Sequence, residues 1–409
     1  MAARSLCALL ALGVYADGSA FELLDGVQVH GFATQGLFTS NGNNFIGPSA
    51  HSVSLQFTEL GMNASWSPLP KLRFSIQGLS RRAGGIQDGS PVLDFGLMDY
   101  SFFDEEDYRL GIRLGRVRLP YGLYNDTRDV AFTRPSILLP QSIYPERTRN
   151  YTISGDGAGY YGEWRNPWGN LTFDFVTYFP RTEESAKIAI IGLKTVAGNL
   201  TPGSISSDLS YVGRLAYDLD GGRLRLALTG AYVTTHYDPV FTWPYDYLAG
   251  NDQFFPWIVS GQYNTEDWTF TSEYSLRPIN HSGFAPVAFA RYADENVIGE
   301  AYYFQVQYRF TPRWELVGRY DALYINRDDP NGMRFQRLLG EIGYDYPAYN
   351  RYAQNWTAGI RYDVTSWMML RAEYNYVNGG AWLPRQDNPD PAAVAKYWNE
   401  FSFEVSLRF

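Results

Sequence analysis

The feature that most constrains the fold is an alternation of apolar and polar residues, which recurs along the chain after residue 26. Within 300–310, for example, Phe304, Val306 and Tyr308 alternate with Gln305 and Gln307. Because successive side chains of a strand point to opposite faces, this period indicates strands with one apolar and one polar face. The pattern predicts sixteen strands, at 27–38, 52–66, 71–82, 92–103, 108–115, 157–164, 171–179, 209–218, 223–236, 254–263, 268–277, 300–310, 314–325, 356–363, 367–378 and 399–409.

The spacers between these strands alternate between short and long. The short spacers carry the Gly, Pro, Asn and Asp that tight turns require, and lie at 67–70, 104–107, 165–170, 219–222, 264–267, 311–313 and 364–366. The long spacers lie at 39–51, 83–91, 116–156, 180–208, 237–253, 278–299, 326–355 and 379–396. Short turns at one end and long loops at the other are typical of an outer-membrane barrel. The sequence therefore predicts an all-β fold, a transmembrane antiparallel up-and-down β-barrel of about sixteen strands.

Hydropathy and aromatic content agree with this fold. The mean hydropathy is only −0.29, and the longest apolar run, 6–14, is too short for a membrane-spanning helix. Aromatic residues make up 17% of the chain, and several, such as Trp66, Phe103 and Trp164, stand beside the short turns. Rings favour the headgroup depth of a bilayer, so this placement predicts an interfacial belt. In a soluble β-protein, the alternative, core rings would have no reason to collect beside one class of turn.

The N-terminus has the pattern of a secretory signal peptide. Arg4 precedes the apolar run 6–14, and the small residues Ala16 and Ala20 follow as possible cleavage positions. We therefore expect a signal peptide at 1–20 and a single barrel domain at 21–409, with a short buried helix as the alternative for the first segment. The one cysteine, Cys7, lies inside the signal, so the mature chain has neither a disulfide nor a thiol nucleophile.

Charge and motif content argue against nucleic-acid binding and enzymatic chemistry. The formal net charge of −9 is opposite to that of a nucleic-acid-binding protein. The four histidines, His30, His51, His236 and His281, match no metal-ligand spacing, and none forms a nucleophile motif with a serine and an acid. We expect no enzyme, no cofactor, no metal and no catalytic residue.

The polar face of the strands should line the interior, which in a sixteen-stranded barrel is wide enough for a water-filled channel. Charged residues on at least nine strands occupy this face. The candidate lumen-wall residues are Arg73, Arg109, Arg113, Arg214, Arg225, Arg277, Arg309, Arg319, Arg361, Arg371, Glu273 and Glu315. Two interpretations stay open: these charges pair across strands for stability, or they select ions.

The longest connection, 116–156, is the third loop at the long-loop end. It contains an apolar segment, 137–139, which a purely external loop would not need. We predict that this loop folds into the lumen and narrows the pore; the alternative is packing over the rim or against a neighbouring subunit. The candidate constriction residues are Arg116, Arg118, Arg128, Arg134, Arg147, Arg149, Asp126 and Asp129.

The stretch Gly115-Arg-Val-Arg-Leu-Pro-Tyr-Gly-Leu123 resembles the Gly-[Lys/Arg]-x-[Lys/Arg]-x-Pro-[Phe/Tyr]-Gly-Leu motif of the phosphate-selective (O/P-type) porin family. The resemblance covers about 115–165 and implies trimeric, sixteen-stranded anion channels with the third loop as constriction. It also implies that Arg116 and Arg118 are the family's basic residues. The family's phosphate channels use lysine-rich constrictions, whereas this loop has no lysine, so the expectation does not extend to phosphate selectivity.

The last residue, Phe409, falls on the apolar face of the final strand and resembles the signal that outer-membrane proteins present to the barrel assembly machinery. The expected function is that of a Gram-negative outer-membrane porin for passive diffusion of small hydrophilic solutes, with a preference for anions. Two alternatives remain, a channel specific for dicarboxylates or phosphate, and a structural barrel that partners another envelope protein. Expected partners are outer-membrane lipid and lipopolysaccharide, the solutes, the assembly machinery, and two further copies in a homotrimer.

Overall fold

The computed structural model describes residues 21–24, 26–182, 203–239, 248–283, 292 and 294–409. The predicted signal peptide at 1–20 and parts of three long spacers lie outside these described residues. Within them, nineteen antiparallel strands form one sheet. No helix of the described segments has the length and apolar character to cross a membrane.

Sixteen of the strands form the wall, and each coincides with one of the predicted strands. They are β2 (Val27–Ser40), β3 (Val53–Leu69), β4 (Leu72–Ala83), β5 (Gln87–Asp104), β6 (Tyr108–Arg118), β7 (Ser154–Asn166), β8 (Gly169–Pro180), β10 (Ser210–Leu219), β11 (Leu224–Pro239), β13 (Trp257–Asn264), β14 (Trp268–Ser282), β15 (Glu295–Thr311), β16 (Trp314–Tyr324), β17 (Tyr352–Asp363), β18 (Met368–Gly379) and β19 (Tyr397–Arg408). The predicted up-and-down barrel is confirmed.

Three short strands complete the sheet and were not predicted. They are β1 (Phe21–Leu24), β9 (Gly203–Ser207) and β12 (Gly250–Phe254). Both β9 and β12 pair with the C-terminal part of β11, residues 233–239, beyond the ends of β10 and β13. Pro256 explains the break between β12 and β13, because proline has no N–H to give to the ladder. The strand predicted at 254–263 accordingly begins at Trp257.

The barrel closes by pairing of the last strand with β2. The register of β19 with β2 runs from Glu400 opposite Ser40 to Arg408 opposite Phe32. One step further, Phe409 and Gly31 exchange backbone N–H···O bonds of 3.0 and 3.1 Å. This closure leaves no edge in the wall, which a bilayer requires because hydrocarbon cannot satisfy free backbone groups.

The two faces of the strands divide as the alternation predicts. Phe304 is 61% exposed on the outer face, whereas its neighbour Tyr303 is fully buried inside. Exposed rings also collect at the short-turn end, where Trp66 stacks on Phe74 and Trp314 stacks on Tyr362 at a centroid distance of 4.3 Å. An apolar outer face with an aromatic rim matches a bilayer and its interface. The architecture therefore supports the predicted outer-membrane location.

The connections sort by length, with one exception. The short turns all lie at one end, and the described long loops lie at the other, where they include the helices α1 (Arg149–Ile153) and α2 (Met333–Gly340). The long spacer predicted at 83–91 is wrong, because β4 continues to Ala83 and β5 begins at Gln87.

Gly31 leaves room for the ring of the C-terminal residue, Phe409, where the first and last wall strands pair. A Cβ on Gly31 would lie 2.3 Å from the ring of Phe409. We predict that Gly31→Val displaces this ring and lowers the free energy of unfolding by about 1–3 kcal/mol. Urea unfolding of the protein in lipid vesicles, followed by tryptophan fluorescence, measures this change.

Gly78→Val in β4 is the matched control, because no atom lies within 4 Å of its Cβ position. Equal unfolding midpoints for the two variants would contradict the role assigned to the contact between Gly31 and Phe409.

Candidate functional site

The third loop, residues 119–153 between β6 and β7, is packed by its apolar residues. Ile137, Leu139 and Ile143 are almost completely buried and belong to one cluster with wall residues that include Phe57 and Tyr303. The apolar segment 137–139 therefore makes contact with the barrel wall. The backbone here is mostly irregular and includes short 3₁₀ turns at Asn125–Thr127, Ala131–Thr133 and Glu146–Thr148.

One fixed point of the loop is the Glu273 carboxylate on β14. It accepts hydrogen bonds from the Tyr144 hydroxyl (2.6 Å), the Tyr303 hydroxyl (2.9 Å) and the Leu123 backbone N–H (3.0 Å). Gly122 lies against this group with a φ of +62°, and a Cβ there would lie 2.2 Å from the Tyr144 hydroxyl oxygen. This position therefore requires glycine both for its backbone conformation and for the close approach.

A second fixed point is a buried ion-pair network that joins the loop to β3 and β19. Both terminal nitrogens of Arg134 donate to Glu59, at 3.2 and 2.9 Å, and one of them also reaches Glu404 at 3.1 Å. Glu59 pairs in addition with Arg81 of β4, which holds the loop residue Glu146 at 2.7 Å. All five side chains are buried, so each charge relies on these partners.

Three predicted wall arginines hold the loop by its backbone oxygens. Arg371 donates to Ala131 at 2.8 Å, Arg361 to Phe132 at 3.2 Å, and Arg319 to Leu138 at 3.5 Å. Arginine supplies five N–H donors in a fixed planar arrangement, which suits it to gather several acceptors at once. These arginines therefore position the loop. Arg371 also lies 3.9 Å from Glu404 on the neighbouring strand, whereas Arg319 and Arg361 pair with acids of their own strands.

The opposite side of the loop meets charged residues of β6 and β10. Arg214 of β10 donates to Asp126 at 2.7 Å and to Asp174 at 3.2 Å. Arg118 pairs with the loop residue Asp129, which also pairs with Arg149. The predicted constriction residues Arg118, Asp126, Asp129 and Arg149 are thus brought together with Arg214.

A cavity of about 600 Å³ opens between this charged group and the short turns. Arg73, Arg109 and Arg113 face it, as do Arg118 and Arg214. Its carboxylates are Asp99, Asp126, Glu163 and Asp174, so positive and negative side chains are nearly balanced.

The remaining predicted residues lie elsewhere. Arg225 pairs with Asp218 at 2.6 Å, and Arg309 pairs with Glu315 at 2.8 Å, both close to short turns. Arg128 is buried within the loop and donates to Glu146 at 2.8 Å. Arg147 and Arg277 face a second cavity, of about 230 Å³, at the long-loop end.

Arg116 points away from the lumen. It lies in β6 directly opposite Asp156 of β7, which in turn lies opposite Phe179, a residue 50% exposed on the outer face. Paired residues share a face, and the Arg116 guanidinium holds Asp156 in a bidentate ion pair of 2.7 and 2.8 Å. The prediction of Arg116 as a constriction residue is therefore wrong, because its side chain lies on the outer face.

Sequence reasoning missed Glu59, Arg81, Glu146 and Tyr144, which anchor the loop. Alternation alone offered a signal for two of them. Glu59 shares the inward parity of Asn63, and Arg81 shares that of Arg73. Nothing in the sequence indicated which loop residues these two would meet.

Among the described residues, no group of three or more histidine, cysteine, aspartate or glutamate side chains is placed to hold a metal ion.

Comparison with known proteins shows the fold through solved structures alone. No family model matches the chain. A comparison with curated proteins also gives no significant match. Three solved structures illustrate the likeness: the outer membrane channel DcaP of Acinetobacter baumannii (12% identity, TM-score 0.56, 96% of this chain and 100% of that one), the anion-selective porin from Comamonas acidovorans (12%, 0.55, 93% and 98%) and a trimer form of the Vibrio cholerae outer membrane protein OmpT (12%, 0.52, 94% and 99%). At this identity the chain shares the barrel of outer-membrane porins, and no narrower family is assigned.

Removing the charge of Arg134 should release the loop and weaken the barrel. Arg134→Met leaves Glu404 and part of Glu59 buried without their partner, so we expect the free energy of unfolding to fall by about 3 kcal/mol or more. Urea unfolding in lipid vesicles measures the loss.

Arg223→Met is the control, because its ion pair with Asp220 is 61% and 67% exposed at the two side chains. We expect a change within about 0.5 kcal/mol for this exposed pair. Equal effects of the two substitutions would refute the anchoring role of Arg134.

Acid should loosen the loop at Glu146. Burial raises the pKa of this carboxyl, but the charges of Arg81 and Arg128 outweigh burial and lower the pKa from 4.5 to about 2. Because the pKa of Glu146 is lower in the folded than in the unfolded protein, its ionised carboxylate stabilises the fold at pH values above about 4.5. This stabilisation is lost as the pH falls from about 4.5 to about 2.

We therefore expect the wild type to be more stable than Glu146→Gln at neutral pH, and the difference to shrink towards pH 2. Urea unfolding of both proteins across this range tests the expectation. A difference independent of pH would show that the charge of Glu146 does not anchor the loop.

Proposed function

We propose that the protein is an outer-membrane porin, a water-filled channel through which small hydrophilic solutes diffuse passively, with a preference for anions. The observation that carries the proposal is a closed sixteen-stranded barrel with a charged cavity in its interior. The third loop, which buried ion pairs and hydrogen bonds anchor to the wall, lies beside this cavity. Barrels of this strand number leave an aqueous lumen.

The third loop is proposed as the constriction. Its residue Asp126 bonds to Arg214 of β10, and its residue Arg134 bonds to Glu404 of β19. In the ring of sixteen wall strands β10 and β19 stand eight places apart, which is the opposite side of the barrel. A segment bonded to opposite walls has to cross the space between them, and this supports an inward fold over packing at the rim.

The narrow passage is then assigned to the charged group on one side of the loop. Arg118 and Arg214 of the wall face Asp126 and Asp129 of the loop. A permeating ion has to pass these side chains at close range, so their sign controls selectivity. Arg128 and Arg134, both predicted for the constriction, act instead as anchors that hold the loop in place.

Homotrimer formation is proposed from the porin fold and from the outer face. One of the similar solved structures, the outer membrane protein OmpT of Vibrio cholerae, is a trimer form. The outward ion pair of Arg116 and Asp156 would be costly against lipid, and a subunit contact or the headgroup layer gives it a polar setting.

Conductance in planar bilayers tests the channel. We expect ohmic steps, with a reversal potential in a KCl gradient that indicates preference for chloride. Protein that inserts but carries no current would favour the structural-barrel alternative and refute the porin proposal.

Charge substitutions at the passage test its location. Asp126→Asn should raise the anion preference and Arg214→Gln should lower it. Two unit charges 4 Å apart in water interact by about 1 kcal/mol, which corresponds to a roughly fivefold change in the permeability ratio. Arg313→Gln, at an exposed short turn, is the control and should leave the reversal potential unchanged. Shifts of the same size in all three variants would refute the assigned passage.

A further inference from the structure

The second cavity, of about 230 Å³, lies at the long-loop end of the barrel and is separate from the charged passage. Four arginines line it: Arg147 from the third loop, Arg277 from β14, Arg351 before β17 and Arg385 after β18. The space exceeds that of a single water more than tenfold. Its only two carboxylates among the described lining residues are Asp252 and Glu295.

Both carboxylates already have basic partners. Glu295 pairs with Arg351 at 2.9 Å, and Asp252 contacts the His281 ring at 3.2 Å. In the part of the chain that the structure describes, no carboxylate oxygen lies within ion-pair distance of Arg147, Arg277 or Arg385. Three guanidinium groups therefore meet in one cavity, and none of them forms an ion pair with a described residue. Burial, and then the nearby charges of Arg385 and Arg277, lower the pKa of Arg147 to about 10.

Aromatic rings lie against three of the four arginines. The guanidinium of Arg351 lies 4.0 Å from the ring centre of Phe335, that of Arg277 lies 5.2 Å from Phe254, and that of Arg385 lies 5.4 Å from Tyr346. Two of these guanidinium groups also donate within the protein, Arg385 to the Tyr346 hydroxyl at 2.7 Å and Arg277 to the Ser142 backbone oxygen at 3.0 Å. Because a guanidinium carries five N–H donors, each of the two still has donors for a ligand.

Unpartnered polar atoms give an independent sign of a missing ligand. Tyr151 is 5% exposed and faces the cavity, and within the described residues its hydroxyl has no hydrogen-bond partner. Thr235 Oγ1 and Arg277 Nε, also on this lining, are buried without a partner as well. Buried polar groups are normally paired, so a site with several such atoms fits a bound molecule with hydrogen-bonding oxygens.

We propose that this cavity is a binding site for small organic anions that combine a carboxylate with an apolar, ring-sized body. The arginines would take the carboxylate in bidentate hydrogen bonds. Phe254, Ile279, Ile325 and Phe335 of the same lining would cover the body, which free phosphate lacks. This binding site rests on the proposed porin function and makes it more specific. It lies at the long-loop end, through which solutes would enter, and it indicates which class of solute the channel would concentrate.

Calorimetric titration of the full-length protein in detergent tests the site with benzoate, its neutral isostere benzamide and inorganic phosphate. Wild-type protein should bind benzoate, with benzamide and phosphate at least about tenfold weaker. Loss of a charged hydrogen bond should cost a similar factor, so Arg147→Gln and Arg385→Gln should each weaken benzoate at least about tenfold. Arg147→Lys, which keeps the charge, should retain part of the affinity.

Arg337→Gln is the matched control, because Arg337 is exposed on α2 at the same end of the barrel. It should bind benzoate like the wild type. Equal binding of benzamide, equal binding of phosphate, or an equal loss in Arg337→Gln would overturn the site as proposed, and so would the absence of benzoate binding.

The same preparations are measured for KCl conductance, which separates the two proposals. Current without benzoate binding would overturn the organic-anion site and leave the porin intact. Benzoate binding without current would support the site and overturn the porin function on which its transport role rests.

Discussion

Closure of the backbone hydrogen-bond ladder is the constraint on which the rest of the structure depends. A bilayer offers no partners to free N–H and C=O groups, so β19 has to return to β2, and the pairing of Phe409 with Gly31 completes this contact. Closure also fixes which residues face inward. Several charged side chains on that face, such as Arg134's partners Glu59 and Glu404, meet the third loop and hold it in place.

The interior uses arginine in two different ways. Arg134 and Arg81 form ion pairs with glutamates that fix the loop, so their charges mainly stabilise the structure. Arg277 and Arg385 lie against aromatic rings, and neither has a carboxylate within ion-pair distance among the described residues. The contrast explains why the number of arginines in the sequence could not by itself decide between stability and selectivity.

Alternation predicted every wall strand, because a two-residue period survives in any strand that separates lipid from the interior, as Phe304 and Gln305 illustrate. It failed where local chemistry intervened, at Pro256, and where a strand ran on beyond its assumed end. Continuing β6 from Leu114 places Arg116 outward, against the sequence expectation. The pairing of the loop anchors was beyond prediction, because Arg134 and Glu404 are 270 positions apart and meet only after closure.

The bonds from Asp126 to β10 and from Arg134 to β19 have a mechanical consequence. They connect opposite sides of the wall through the third loop. The cross-section of the barrel is then maintained by these ion pairs as well as by the curvature of the sheet. Lateral pressure from the membrane would be shared between the ladder and a few buried ion pairs. In the proposed porin, freeing the loop to widen the passage would therefore also soften the barrel, which would couple permeability to stiffness.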